Sequence, residues 1–264
     1  MTQDSPPPAL ELKDLRQCFG KTEIIRDITL SVLQGERVGI IGPNGAGKST
    51  LLNVISGRLK PSAGHIWLNG LRIDGKKPFE INRMGLSRSF QINLLFQKLS
   101  VFDNLRCGVL WHLGYRYTFL KCLCHDANER TLELMDRVGL NQQRDTLAMH
   151  LSYAEQRMLE LGITLASGAD VILLDEPTAG MSFAESSRFM QLIRAVTVGK
   201  TLILVEHDMG VVFGLADKIA VMVNGELLAF DTACAVRADA RVQQAYLGTI
   251  NEQIRPYLPS FHPL

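Results

Sequence analysis

The chain has 264 residues, 46% of them hydrophobic and 21% charged, the composition of an ordinary soluble globular protein with enough apolar residues for one large domain or two unequal lobes. Lys plus Arg number 28 against 27 Asp plus Glu, so the net charge of +1 provides no general pull toward nucleic acid or an anionic membrane. Five scattered cysteines (18, 107, 122, 124 and 234) argue against a disulfide framework, and no apolar run approaches the roughly 18 residues that span a bilayer.

The first ten residues, MTQDSPPPAL, have an acid and three prolines where a secretory signal has basic residues and an apolar stretch, so the chain is expected to stay in the cytosol. ALELKDL, the alternating ITLSV and then ERVGIIG predict a small antiparallel layer leading into a core strand. A helix is expected at the end of GPNGAGKSTLLNVISGRL. Between about residues 92 and 166 the pattern turns helical, in VFDNLRCGVLW, NERTLELMDRVGL and QRMLELGITLAS, which reads as a helical subdomain inserted into an α/β core. Within it CGVLWHLGYRYTFLKCLCH is unusually aromatic, and its Cys122-Leu-Cys124-His125 lacks the spacing and second half-site of a zinc centre, so ordinary thiols are expected. The core resumes with VILLDE and TLILVE, continuous apolar strands of the kind buried on both faces of a parallel sheet. KIAVMV and ELLAF are joined by Asn224-Gly225, a strong hairpin signal, and the proline-containing tail from Thr249 is expected to be extended.

Three stretches carry chemistry. Gly42-Pro-Asn-Gly-Ala-Gly47-Lys48-Ser49 satisfies G-x-x-x-x-G-K-[ST] between a strand and a helix, the context in which glycine-rich backbone wraps phosphates with its N–H groups. Lys48 then supplies charge to the β- and γ-phosphates and Ser49 a hydroxyl for Mg²⁺. Gly42, Asn44, Gly45, Gly47, Lys48, Ser49 and Thr50 are the candidate phosphate-binding residues. Asp175 ends VILLD, where a carboxylate can hold a metal through water, and Glu176 beside it is placed to orient or deprotonate an attacking water. In LSYAEQ, Ser152 and Glu155 form a capping-box pattern, and a helix N-terminus capped by serine is also an anion site.

In this order the phosphate loop, LSYAEQ and VILLDEP resemble the ATP-binding cassette of ABC transporters over nearly the whole chain. The resemblance implies an α/β P-loop NTPase fold: a RecA-like core, a small antiparallel β layer and an inserted helical subdomain. The implied division is an ATP-binding core at 1–91 and 167–248, a helical subdomain with the signature motif at 92–166, and a tail at 249–264. ATP and Mg²⁺ are the implied ligands, the metal held by Ser49, Gln91 and Asp175. Gln91, in SRSFQ, falls where the family has its Q-loop, contacting the metal and the attacking water while sensing the permease. His207 matches the switch histidine at the γ-phosphate and joins Glu176 and Gln91 as catalytic candidates. Phe19 matches the aromatic that stacks on adenine. In the family two cassettes enclose two ATP molecules head to tail, so Ser152 and Ala154 of the signature loop would face the γ-phosphate of ATP held by a partner cassette.

RSFQINLLFQKLSVFDNL, the LSYxxQRxLEL form of the signature, EPTAGM, VEHDM and VQQAYLG look like the ATPases of branched-chain amino acid uptake, whose close relatives serve urea and short amides. The implied partners are transmembrane permease subunits, a second cassette of the same or a different chain and, indirectly, a solute-binding protein. The implied location is peripheral, on the cytoplasmic face of the membrane, with no nucleic-acid partner. Two positions depart from the family pattern. Ala154 stands where a second signature glycine is usual, adding a methyl group and restricting positive φ, and Ser182 stands where many members have Asp or Asn. Either departure could leave one composite site slow.

Two other functions compete. A soluble ABC-type ATPase acting on nucleic acid or ribosomes usually carries coiled coils or two cassettes, and this chain has neither heptad arms nor an internal repeat. A small-molecule kinase of the P-loop class would leave the signature, Gln91 and His207 unexplained.

Overall fold

Two sheets meet across one apolar core, and the reason lies in how their strands alternate. The computed structural model describes residues 6–89, 95–113 and 121–247; Gln91, Tyr115, Tyr117 and the tail 249–264 lie outside them. Strands Leu10–Phe19 (β1) and Thr22–Val32 (β2) pair antiparallel, with Leu10 opposite Val32 and Leu12 opposite Leu30. Ile28, Leu30 and Val32 turn one face of β2 inward, as a period of two requires, and Ile25, three residues before Ile28, joins the same core across a register shift against β1. The layer is larger than ALELKDL and ITLSV foretold. Ala63–Leu68 (β4) pairs with the other edge of β1, and the two-residue Leu71–Arg72 (β5) completes a sheet ordered β2-β1-β4-β5.

The second sheet is built around Arg37–Ile41 (β3), which runs parallel to Thr201–Val205 (β8) on one side and Lys218–Val223 (β9) on the other. Val171–Asp175 (β7) follows β8, and Leu86–Arg88 (β6) forms one edge. Glu226–Thr232 (β10) forms the other, antiparallel to β9. Every residue of β7 and β8 is buried, and their side chains alternate between two cores. Val171, Leu173, Ile203 and Val205 face the antiparallel layer; Ile172, Leu174, Leu202 and Leu204 face the opposite side. Burial on both faces is what makes such strands uniformly aliphatic.

The helices fill both sides. Lys48–Ile55 (α1) packs between the two sheets, and Gly57, at φ 74, follows its end in the left-handed conformation that closes many helices. Pro78–Arg83 (α2) precedes β6. Val101–His112 (α3), Lys121–Arg137 (α4) and Tyr153–Ala166 (α5) occupy the chain between β6 and β7. Leu105, Met135 and Leu159 from these helices share one apolar cluster with Leu174 and Leu204 of the sheet. Phe183–Val196 (α6) and Met209–Leu215 (α7) cover the same face, and the short Ala233–Ala238 (α8) and Ala240–Leu247 (α9) follow β10.

Candidate nucleotide site

The phosphate loop leaves β3 and enters α1 with Gly47 as the N-cap at φ 96. A side chain at Gly42 would overlap the carbonyl of Met222, and one at Gly47 would lie 3.0 Å from the carbonyl oxygen of Ile24. Backbone therefore packs on backbone here, which leaves the cradle rigid and lined by N–H groups of the first helical turn. The hairpin read at Asn224-Gly225 forms as expected, with positive φ at both residues (50 and 85). It also supports the loop, because the Gly225 N–H donates to the Ala46 carbonyl at 3.2 Å and the Arg26 N–H donates to the Gly225 carbonyl at 2.8 Å. Lys48 is buried, and its ammonium donates to the carbonyls of Gly42 (2.7 Å) and Pro43 (3.1 Å). Burial pushes its pKa below the ordinary lysine value, while the charges of Glu176 and then Asp175 act in the opposite sense. Ser49 is exposed, whereas Thr50 is half-buried.

Acids gather where β7 and β8 end. Asp175 is buried, its Oδ2 accepts from Arg88 at 2.7 Å, and its Oδ1 is buried with no protein partner. Glu176 takes φ 47, a strained value for a residue with a Cβ, and its Oε1 lies 2.8 Å from His207 Nε2. The structure thus brings Glu176 and His207 together from two strand ends. Glu206, one residue earlier, is buried and ties the same two loops. It accepts from the Thr178 N–H (2.9 Å), the Thr178 hydroxyl (2.6 Å) and the His207 N–H (3.1 Å).

The start of α5 carries the expected capping box. Glu155 N–H donates to Ser152 Oγ at 3.4 Å, and the Ser152 N–H and hydroxyl each donate to Glu155 Oε2 at 2.8 Å. Ala154 is the second residue of that helix and has no positive φ, so the backbone requires no glycine there. The Tyr153 hydroxyl donates to the Ala179 carbonyl at 2.6 Å and accepts from Arg157 Nη2 at 2.8 Å, which connects the helix start to the loop after β7. Ser182 caps α6 through a second capping box with Glu185. Phe19 closes β1 with 49% of its surface exposed.

A model of the family described as ABC transporter matches residues 25–179. The high-affinity branched-chain amino acid transport ATP-binding protein LivG of Escherichia coli strain K12 is 33% identical over 91% of this chain and 98% of its own. BraF of Pseudomonas aeruginosa, described in the same words, is 32% identical over the same shares. Among solved structures MJ1267, an ATP-binding cassette of an ABC transporter, superposes with a TM-score of 0.80 at 28% identity, covering 90% of this chain and 98% of its own. The chain belongs to the ABC transporter family. It is the nucleotide-binding, ATP-hydrolysing cassette of such a transporter, and no helix among its described residues is long and apolar enough to cross a membrane.

The structure also brings to the site residues that the motifs did not announce. Glu206 had a signal, an acid at the end of a fully buried strand, the same one that singled out Asp175. Arg88 sits on a three-residue strand with no hydrophobic pattern, and Tyr153 lies inside a motif read for its serine.

Proposed function

We propose that this cassette energises the import of branched-chain amino acids, working as one of a pair of cassettes beneath transmembrane permease subunits, with a solute-binding protein as a more distant partner. The observation that carries the solute is the likeness to LivG and BraF over 98% of their length. A urea or short-amide importer is the second reading, because the cassette does not touch the solute.

In this reading Gly42, Asn44, Gly45, Gly47, Lys48, Ser49 and Thr50 hold the phosphates and Phe19 stacks on adenine. Mg²⁺ would be held by Ser49, Asp175 and Gln91, and the unpartnered Asp175 Oδ1 is the hard oxygen donor that this ion prefers. When bound it would neutralise charge developing on the phosphate oxygens. Glu176 takes the proton of the attacking water, and His207, in contact with that carboxylate, orients it and reaches the γ-phosphate. Gln91 would join them from the Q-loop. Ser152 and the start of α5 face the nucleotide of the partner cassette, for which the Ser152 hydroxyl must turn from Glu155 to phosphate.

The proposed division remains a core at 1–91 and 167–248, a helical subdomain at 92–166 and a tail at 249–264. Between α2, β6, α3 and α5 runs a cleft lined by Phe79, Phe96 and Trp111, each more than 40% exposed, with Arg83 stacked on Trp111 at 5.1 Å. Its apolar rim supports a permease segment as occupant and a peripheral place on the cytoplasmic face. Purification from gently solubilised membranes tests the assembly, with two permeases and a second cassette expected to come along. Recovery of ribosomes or DNA instead would overturn it. Uptake of labelled leucine, but not urea or acetamide, by the reconstituted complex tests the solute.

A further inference from the structure

We infer that Arg88 is a positioning residue that sets Asp175 and the phosphate-loop helix in register for one shared divalent cation. The inference rests on the reading of Asp175 as the carboxylate that holds the metal. Two oxygens that serve one ion come from different elements, Ser49 from the first turn of α1 and Asp175 from the tip of β7. Something must fix the distance between those elements. Arg88 touches both: Nη2 donates to Asp175 Oδ2 at 2.7 Å, while Nη1 donates to Asn53 Oδ1 at 2.8 Å and to Ser56 Oγ at 3.0 Å. Ser49, Asn53 and Ser56 are spaced i, i+4, i+7, so the guanidinium grips the stripe of α1 that also carries the metal-binding hydroxyl. The rigid fork of arginine suits this task, since one planar group holds two directions at once.

The bonds left unmade separate this role from that of an ordinary buried ion pair. Arg88 and Asp175 are both buried, 6% and 1% exposed in their side chains. A pair kept for stability alone would satisfy its remaining lone pairs and protons. Instead Asp175 Oδ1 is buried with no partner while Oδ2 is pinned, and Arg88 Nε is likewise buried with no partner. Holding one carboxylate oxygen orients the other, which is how outer-shell groups tune a metal ligand. Arg88 itself stands on β6, whose edge pairing sets Arg88 beside Leu173, two residues before Asp175.

The test is direct nucleotide binding by the full-length chain, using a fluorescent ATP analogue titrated in EDTA and across a Mg²⁺ series. Arg88→Gln should leave metal-free affinity within about twofold and raise the Mg²⁺ concentration for half-maximal binding by roughly 10-fold or more, the usual penalty for losing an outer-shell partner. Arg88→Lys, which keeps charge but loses the fork, should fall between Arg88→Gln and wild type. The Asn53→Ala, Ser56→Ala double variant keeps the ion pair and frees the α1 end, so it should also raise the Mg²⁺ requirement if Arg88→Gln fails to fold. Asp175→Asn is the control for the underlying reading. If Asp175→Asn shifts the Mg²⁺ requirement while the folded Arg88 and α1 variants lose only thermal stability, Arg88 is a structural ion pair and the inference falls alone. An unchanged Mg²⁺ requirement in Asp175→Asn would remove the reading of Asp175 and the inference with it.

Discussion

Lys48 is held ready by carbonyls of its own loop, and its burial lowers the cost of exchanging them for phosphate oxygens. Lys48→Ala should weaken ATP binding by roughly 10- to 100-fold, since a charge-assisted hydrogen bond contributes about 1.5–3 kcal/mol. Isothermal titration checks this, and unchanged affinity would remove the role. Ser182 departs from the family pattern, and in the structure it caps α6 through a capping box with Glu185. Short side chains with a cap-forming oxygen, Ser, Asp and Asn alike, serve at that position. Ser182→Ala should therefore cost about 1 kcal/mol in thermal unfolding, and Ser182→Asp should recover only part of the cap, since its carboxylate cannot donate to Glu185 and repels it. Lys48, Asp175 and Glu176 stood out in the sequence because their motifs carry the residue types that phosphate chemistry uses, and His207 stood out through the family resemblance; the structure places Glu176 and His207 in contact. Arg88 was not, because a guanidinium acting across three elements leaves no local spacing to read.

Among elements, β7 and β8 were legible from their unbroken aliphatic runs, and the β9–β10 hairpin from Asn224-Gly225, where two positive φ values leave few other choices. β5 and β6, two and three residues long, were not, because a strand held by one neighbour needs no periodic pattern. The start of α5 was read correctly as a capping box, and the structure adds that Ala154 lies within the helix. Ala154→Gly should accordingly lower stability, by up to about 1 kcal/mol, and leave turnover of the assembled complex unchanged. A faster ATPase in that variant, measured beside a partner cassette inactivated at its own catalytic acid, would show that the methyl group limits approach to the partner's nucleotide.

For the whole molecule, the phosphate loop rests on the Asn224-Gly225 hairpin and the antiparallel layer. The start of α5 is tied through Tyr153 to the loop that follows Asp175 and Glu176. In the proposed reading, ATP bound to one cassette draws the other toward it, and hydrolysis at Glu176 releases the pair. The most direct test is Glu176→Gln, which fills the same space but cannot accept a proton from water. In Mg²⁺ and ATP the variant, alone or with its partner cassette, should bind nucleotide with wild-type affinity, hydrolyse it at least about 100-fold more slowly, and sediment as a stable dimer that ADP does not support. Wild-type hydrolysis by the assembled Glu176→Gln complex, or a monomer under saturating ATP, would contradict the account.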